Sequence, residues 1–89
     1  MKISKEKKEK ISEQILAFLF QENPKPIFTA HIARELARDE EFTRSLLEEL
    51  RKKDLIIKIN KNKEGILYIK RRRWKLSPSA YNLYRRIQI

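Results

Sequence analysis

The sequence has no cysteine, one histidine, one glycine and three prolines among its 89 residues. Without cysteine there is neither a disulfide to staple a small fold nor a thiolate zinc site. One histidine cannot build a histidine cluster. A single glycine leaves no glycine-rich loop to cradle a phosphate. No cysteine nucleophile and no catalytic triad stand out, so the chain does not read as an enzyme. No cofactor, metal or small-molecule ligand is implied. Long apolar runs are missing too. The longest, Ile15 to Phe20, has 6 residues, whereas a membrane span needs about 20. The charged N-terminus lacks an apolar stretch and a small-residue cleavage site, so no secretory leader is expected. A cytoplasmic location follows by default.

What is present is a small core and a large positive charge. One domain over 1–89 is expected, burying about 60–65% of the surface its unfolded chain exposes. The hydrophobic content of 40% suits a globular chain rather than a disordered one. Lys and Arg number 22 against 12 Asp and Glu, a net charge of +10. The excess is segregated. Residues 1–57 hold 12 basic and 11 acidic side chains, and residues 58–89 hold 10 basic and only Glu64. A localised basic field attracts polyanions, and for a small domain nucleic acid is the first candidate.

Helical periodicity organises the first two thirds of the chain. Ile11, Ile15, Phe18 and Leu19 share one helix face over 4–22, with Ser4 as the expected N-cap. Asn23-Pro24 ends that helix, because the residue before proline is pushed out of the α region. Ile27 and Phe28 form a short extended piece. Thr29 reads as an N-cap for a helix of about 30–38 that carries Ile32, Ala33 and Leu36. Asp39 reads as the next N-cap, with Glu40 and Glu41 in the first turn, where the helix dipole favours negative charge. That helix runs to about Lys53 on Phe42, Leu46, Leu47 and Leu50, and Asp54 closes it in a left-handed or turn conformation.

The last third changes period. Leu55–Ile59 and Ile66–Lys70 are β-prone runs around the polar loop Asn60–Gly65, which reads as a hairpin. The second strand continues through Arg71–Arg73 to Trp74 and Leu76. Trp74 and Leu76 share parity with Ile66 and Tyr68, against Leu67 and Ile69, so either a bulge near Arg71–Arg73 or an outer hairpin projecting beyond the core is expected. Ser77 caps a final helix over 78–88 with Pro78 at its first position. Ala80, Leu83, Tyr84 and Ile87 form its apolar stripe. Trp74 is expected in the core, and Tyr81 is the tyrosine expected to be exposed. His31 and the Asp39–Glu41 cluster read as ordinary cap-region residues.

The order helix, short strand, helix, helix, strand, strand, helix resembles a winged helix-turn-helix over residues 27–77. The resemblance is carried by Ile32-Ala33-x-x-Leu36, nine intervening residues to Leu46-Leu47, then Leu50 and Leu55-Ile56. The run Trp74-Lys75-Leu76-Ser77-Pro78-Ser79-Ala80 is similar to the family's wing exit. The resemblance implies an α+β, mostly α fold, with a three-helix core, the helix-turn-helix over 29–53, a β-hairpin wing over 55–76 and a C-terminal helix.

It also implies a DNA-binding protein of the prokaryotic regulator type, acting on double-stranded DNA and associated with the nucleoid. Its recognition helix of 40–53 would lie in the major groove. Thr43, Arg44, Ser45 and Glu48 are its solvent-facing candidates, with Arg44 best suited to guanine O6 and N7. Lys58, Lys61, Lys63, Lys70, Arg71, Arg72, Arg73 and Lys75 lie on or beside the wing and would meet phosphates or a minor groove. Two alternatives stay open, because winged helices also dock proteins: a protein-interaction module using the acidic start at Asp39–Glu41, and an RNA-binding module that stacks bases on Trp74 or the tyrosines. A homodimer through Ile11, Ile15, Phe18, Leu83, Tyr84 and Ile87 is the possible assembly. The same residues would otherwise complete a monomer core.

Overall fold

The computed structural model describes residues 4–59 and 72–87. Their order is α1 (Lys5–Glu22), β1 (Ile27–Phe28), α2 (Thr29–Leu36), α3 (Glu40–Lys52), β2 (Ile56–Ile59), β3 (Arg73–Leu76) and α4 (Pro78–Ile87). Side-chain oxygens begin three of the helices. Ser4 Oγ accepts from the Lys7 N–H at 3.2 Å, Asp39 Oδ2 from the Phe42 N–H at 3.0 Å, and Ser77 Oγ from the Ala80 N–H at 3.2 Å. Each meets one of the donors that a helix start leaves without an internal partner.

The ends of α2 and α3 are left-handed turns made without glycine. Ala37 has φ 52° and Asp54 φ 61°. At α3 the Leu55 N–H donates to the Leu50 carbonyl (3.1 Å) and the Asp54 N–H to that of Arg51 (3.0 Å). At α2 the Arg38 N–H donates to the Ala33 carbonyl (2.9 Å) and the Ala37 N–H to that of Arg34 (3.2 Å). These are Schellman closures, which satisfy the last carbonyls and turn the chain sharply. Asp54 thus takes the left-handed conformation expected of it.

Thr29 does not cap α2. It is the first residue of that helix, Phe28 stands at the cap position, and Phe28 offers no side-chain bond. The Thr29 hydroxyl instead accepts from Trp74 Nε1 at 2.7 Å and donates to the Arg72 carbonyl at 3.5 Å. A buried indole N–H without a partner would cost about 1–3 kcal/mol, so the hydroxyl serves the core rather than the helix start.

Among the described residues the strands form an antiparallel sheet in the order β1-β3-β2, with Ile27 opposite Trp74 and Lys58 opposite Trp74 from the other side. Alternation along β3 sends Trp74 and Leu76 inward and leaves Arg73 and Lys75 half-buried. The core joins Ile11, Ile15 and Leu19 of α1 to Ile32, Leu46, Leu47, Leu50, Ile56, Trp74, Leu76 and Ala80. The outer hairpin, Asn60–Gly65 with Ile66–Lys70 and its parity question, lies outside the described residues, as does position 88 of the last helix.

At the termini an open alternative is decided for two residues of α1, and the expectations for α4 are corrected. Ile11 and Ile15 are 3% and 0% exposed, so they complete this chain's own core and offer nothing to a second copy. On α4 the inward edge is Ala80, Tyr81 and Tyr84, not the stripe through Leu83 and Ile87. Tyr81 and Tyr84 both lie against Phe20 of α1, with ring centroids at 5.4 and 5.6 Å. The helix is therefore rolled toward its aromatic side. Tyr81 is half-buried rather than exposed, whereas Leu83 and Ile87 are 55% and 69% exposed.

Candidate nucleic-acid interface

α3 is amphipathic, and Asp39 caps its start. Arg44 is exposed, with one guanidinium nitrogen 3.9 Å from Glu41. Ser45 is exposed, and its hydroxyl donates to the Phe42 carbonyl at 2.9 Å. Thr43 is not solvent-facing. It is 1% exposed, and its hydroxyl donates to the Asp39 carbonyl at 2.8 Å. It belongs to the inner side of the first turn, one residue away from the face that Arg44 occupies. The helix as a whole is slightly acidic. Glu40, Glu41, Glu48 and Glu49 stand against Arg44, Arg51 and Lys52.

Glu48 is the junction between this helix and the sheet. Its Oε2 accepts from Arg51 Nε at 2.9 Å, and its Oε1 accepts from Lys58 Nζ at 3.4 Å and lies 3.5 Å from Arg72 Nη1. Those cations come from three places: α3 itself, β2, and the residue just before β3. Burial alone would raise the Glu48 carboxyl, but the Arg51 hydrogen bond and the Lys58 charge outweigh it and hold the carboxyl below its usual range. The expectation of a solvent-facing reader at this position is corrected: Glu48 is half-buried and engaged.

The paired strands β2 and β3 are rich in cations. Lys58, Arg72, Arg73 and Lys75 lie on or beside β2 and β3. The Arg73 guanidinium lies 5.9 Å from the centroid of the Phe28 ring, within cation–π range. Phe28 is 43% exposed. The starts of α2 and α3 frame an open cleft with Arg72. Its lining includes Phe28, Arg34 and Arg44, with Glu40 and Glu41 beside them. Phe28 and Arg34 do not stand out in the sequence as site residues. For Phe28 a signal exists: in an extended pair with Ile27 inward, its neighbour points outward. Lys61, Lys63, Lys70 and Arg71 lie outside the described residues.

Comparison with known proteins places this geometry. No family model matches the sequence, and no curated protein matches it. Solved structures do match. The DNA complex of Staphylococcus aureus MepR is 20% identical and superposes with a TM-score of 0.73, covering 88% of this chain and 60% of that one. MepR described as a transcription regulator of the multidrug efflux pump MepA gives 20% and 0.71, covering 88% and 53%. ZitR of Lactococcus lactis gives 18% and 0.67, covering 88% and 49%. This is the winged helix-turn-helix fold. In its terms α2 and α3 are the helix-turn-helix, and β2 and β3 root the wing. The winged helix here spans about half to three-fifths of the solved chains it matches. No helix among the described residues is long and apolar enough to cross a membrane.

Proposed function

We propose that the chain binds double-stranded DNA and works as a transcriptional regulator. α3 enters the major groove with Arg44 and Ser45 toward base edges, and the basic wing lies along the phosphates. One observation carries this reading: in a helix-turn-helix framework, Arg72 shares an open cleft with an exposed Arg44, and Lys58, Arg73 and Lys75 stand on the adjoining strands. The basic run that continues through Lys61, Lys63, Lys70 and Arg71 in the sequence extends the same charge. MepR, with the same fold, has been seen in complex with DNA. On this reading the protein acts at the nucleoid of a prokaryotic cell. The test is competition against a labelled mixed-sequence duplex. Unlabelled duplex DNA displaces it more effectively than single-stranded RNA of equal length. Better competition by the RNA would sink the proposal and favour base stacking on the tyrosines.

Self-association through α4 is a second part of the proposal. Leu83 and Ile87 are one helical turn apart and exposed, which is unusual placement for paired large apolar side chains on a small domain. A two-fold pair would read half-sites about one DNA turn apart. Sedimentation of the wild type beside Leu83→Lys/Ile87→Lys tests it: a concentration-dependent dimer should disappear in the variant. A wild type that stays monomeric at high concentration would refute it.

A further inference from the structure

We propose that Glu48 is an internal counter-anion: it occupies the seat a backbone phosphate would take between Lys58 and Arg72, and so holds down the sequence-independent affinity of the wing. The inference rests on the DNA-binding reading and adds a device that tunes it.

The geometry is that of an incompletely neutralised cluster. One carboxylate faces Arg51, Lys58 and Arg72, which leaves an excess of two positive charges. The Lys58 and Arg72 side chains retain 23% and 30% exposure, and Glu48 26%. They are screened less than free surface charges yet remain reachable by a ligand. The groove alongside is lined by Glu41, Arg44, Ser45, Glu49, Lys52 and Arg72. Within it Glu41 is already near Arg44, so Glu48 is the carboxylate that faces the wing root.

A phosphate that meets Lys58 or Arg72 must displace Glu48 Oε1. That step exchanges one anion for another instead of adding an ion pair. Counterion release from DNA is then offset by the loss of the internal pair, and each of these cations adds less to affinity than a free lysine or arginine would. Arg44 lies near Glu41 rather than Glu48, so Glu48 does not reduce its contacts to base edges in this way. Glu48 therefore lowers non-specific binding relative to specific docking, which is how a carboxylate in a recognition helix helps rather than harms.

Glu48→Gln tests this, because the amide keeps the shape and can still accept from Arg51. Anisotropy titrations of a mixed-sequence duplex over a range of salt are compared for the wild type, Glu48→Gln and Glu49→Gln. Glu49 is exposed on the same helix, and its substitution removes the same charge without touching the wing. Glu48→Gln should bind more tightly at low salt, with a log–log salt slope steeper by up to about 1.8, or about 0.9 for each of the two released cations. Glu49→Gln should change the slope far less. In a Lys58→Gln/Arg72→Gln background, Glu48→Gln should add nothing. A merely structural role would lower the melting temperature without steepening the slope.

Equal slopes for wild type and Glu48→Gln, or equal changes in Glu48→Gln and Glu49→Gln, overturn the proposal while leaving DNA binding intact. Absence of binding by all three proteins at low salt overturns the DNA reading and this inference with it. If Glu48→Gln does not fold, Lys58→Gln/Arg72→Gln alone reads the same interaction. Removing cations that Glu48 already holds should flatten the slope by clearly less than about 1.8, and flattening by the full amount contradicts the proposal.

Discussion

The outward face of α3 and the root of the wing meet at Glu48, yet they carry opposite electrostatics. α3 sets four carboxylates against three cations. The segment from Lys58 to Lys75 sets eight cations against Glu64. A helix this acidic gains little from the phosphates on either side of a groove. A segment this basic gains much but has few ways to tell one base pair from another. On the proposed DNA-binding reading, the difference implies a division of labour: the helix supplies shape and base contact through Arg44, and the wing supplies attraction.

The two regions separate most completely if their shared support is removed. Trp74 is fully buried, lies between β1 and β2 in the sheet, and bonds Thr29 at the start of α2. Trp74→Ala should cost about 3–5 kcal/mol, read by chemical denaturation. In a small domain that is a large share of total stability. A cost under about 1 kcal/mol would mean that helix-turn-helix and wing are not braced through this residue.

Arg44→Ala isolates the helix side. Once a preferred site is known, it should relax preference at one base pair by about 1–3 kcal/mol in competition binding, with little change on mixed-sequence DNA. An equal weakening on every sequence would move Arg44 from the reading face to the phosphates.

The framework itself is tested at Ala37, whose φ of 52° is costly for a residue with a Cβ. Ala37→Gly should stabilise the fold by about 1 kcal/mol, because the left-handed strain outweighs glycine's extra freedom when unfolded. Thermal and urea melts read it directly. A destabilisation would show that the turn between α2 and α3 is not strained.

The smallest effect expected is one of pH. The Glu48 carboxyl is held below its ordinary value of 4.5. A group depressed in the folded state adds stability that is complete above its unfolded value and is lost as pH falls through the folded one. Stability should therefore decline below about pH 4.5, and the decline should be shallower in Glu48→Gln. Identical acid limbs would show that the wing-root pairs contribute nothing.

Much of the framework was legible because its signals are local. Ser4, Asp39 and Ser77 announce helix starts within three residues of the donors they serve. The four-residue spacing of Ile11, Ile15 and Leu19 names the buried side of α1. What escaped is what the chain brings together from afar. Thr29 looks like a cap in sequence, but its hydroxyl meets an indole 45 residues away. Glu48 looks like one more surface residue of α3 until the turn at Asp54 sets Lys58 against it. Thr43 and Arg44 are adjacent polar residues, and which of them faces water depends on how the helix is rolled onto Leu46 and Leu47. The roll of α4 onto Phe20, which half-buries Tyr81 and strands Leu83, is likewise a decision of packing between the two ends of the chain.

The division of labour is tested most directly by salt-dependent anisotropy titration of a mixed-sequence duplex with three proteins: wild type, Arg44→Ala, and Arg71→Ala/Arg72→Ala/Arg73→Ala. The account predicts tight binding at low salt and a slope that flattens by about 0.9 for each phosphate the triple variant no longer meets. The Arg44→Ala slope should stay close to that of the wild type. A slope that flattens as much in Arg44→Ala as in the triple variant, or a wild type that does not bind at low salt, would contradict it.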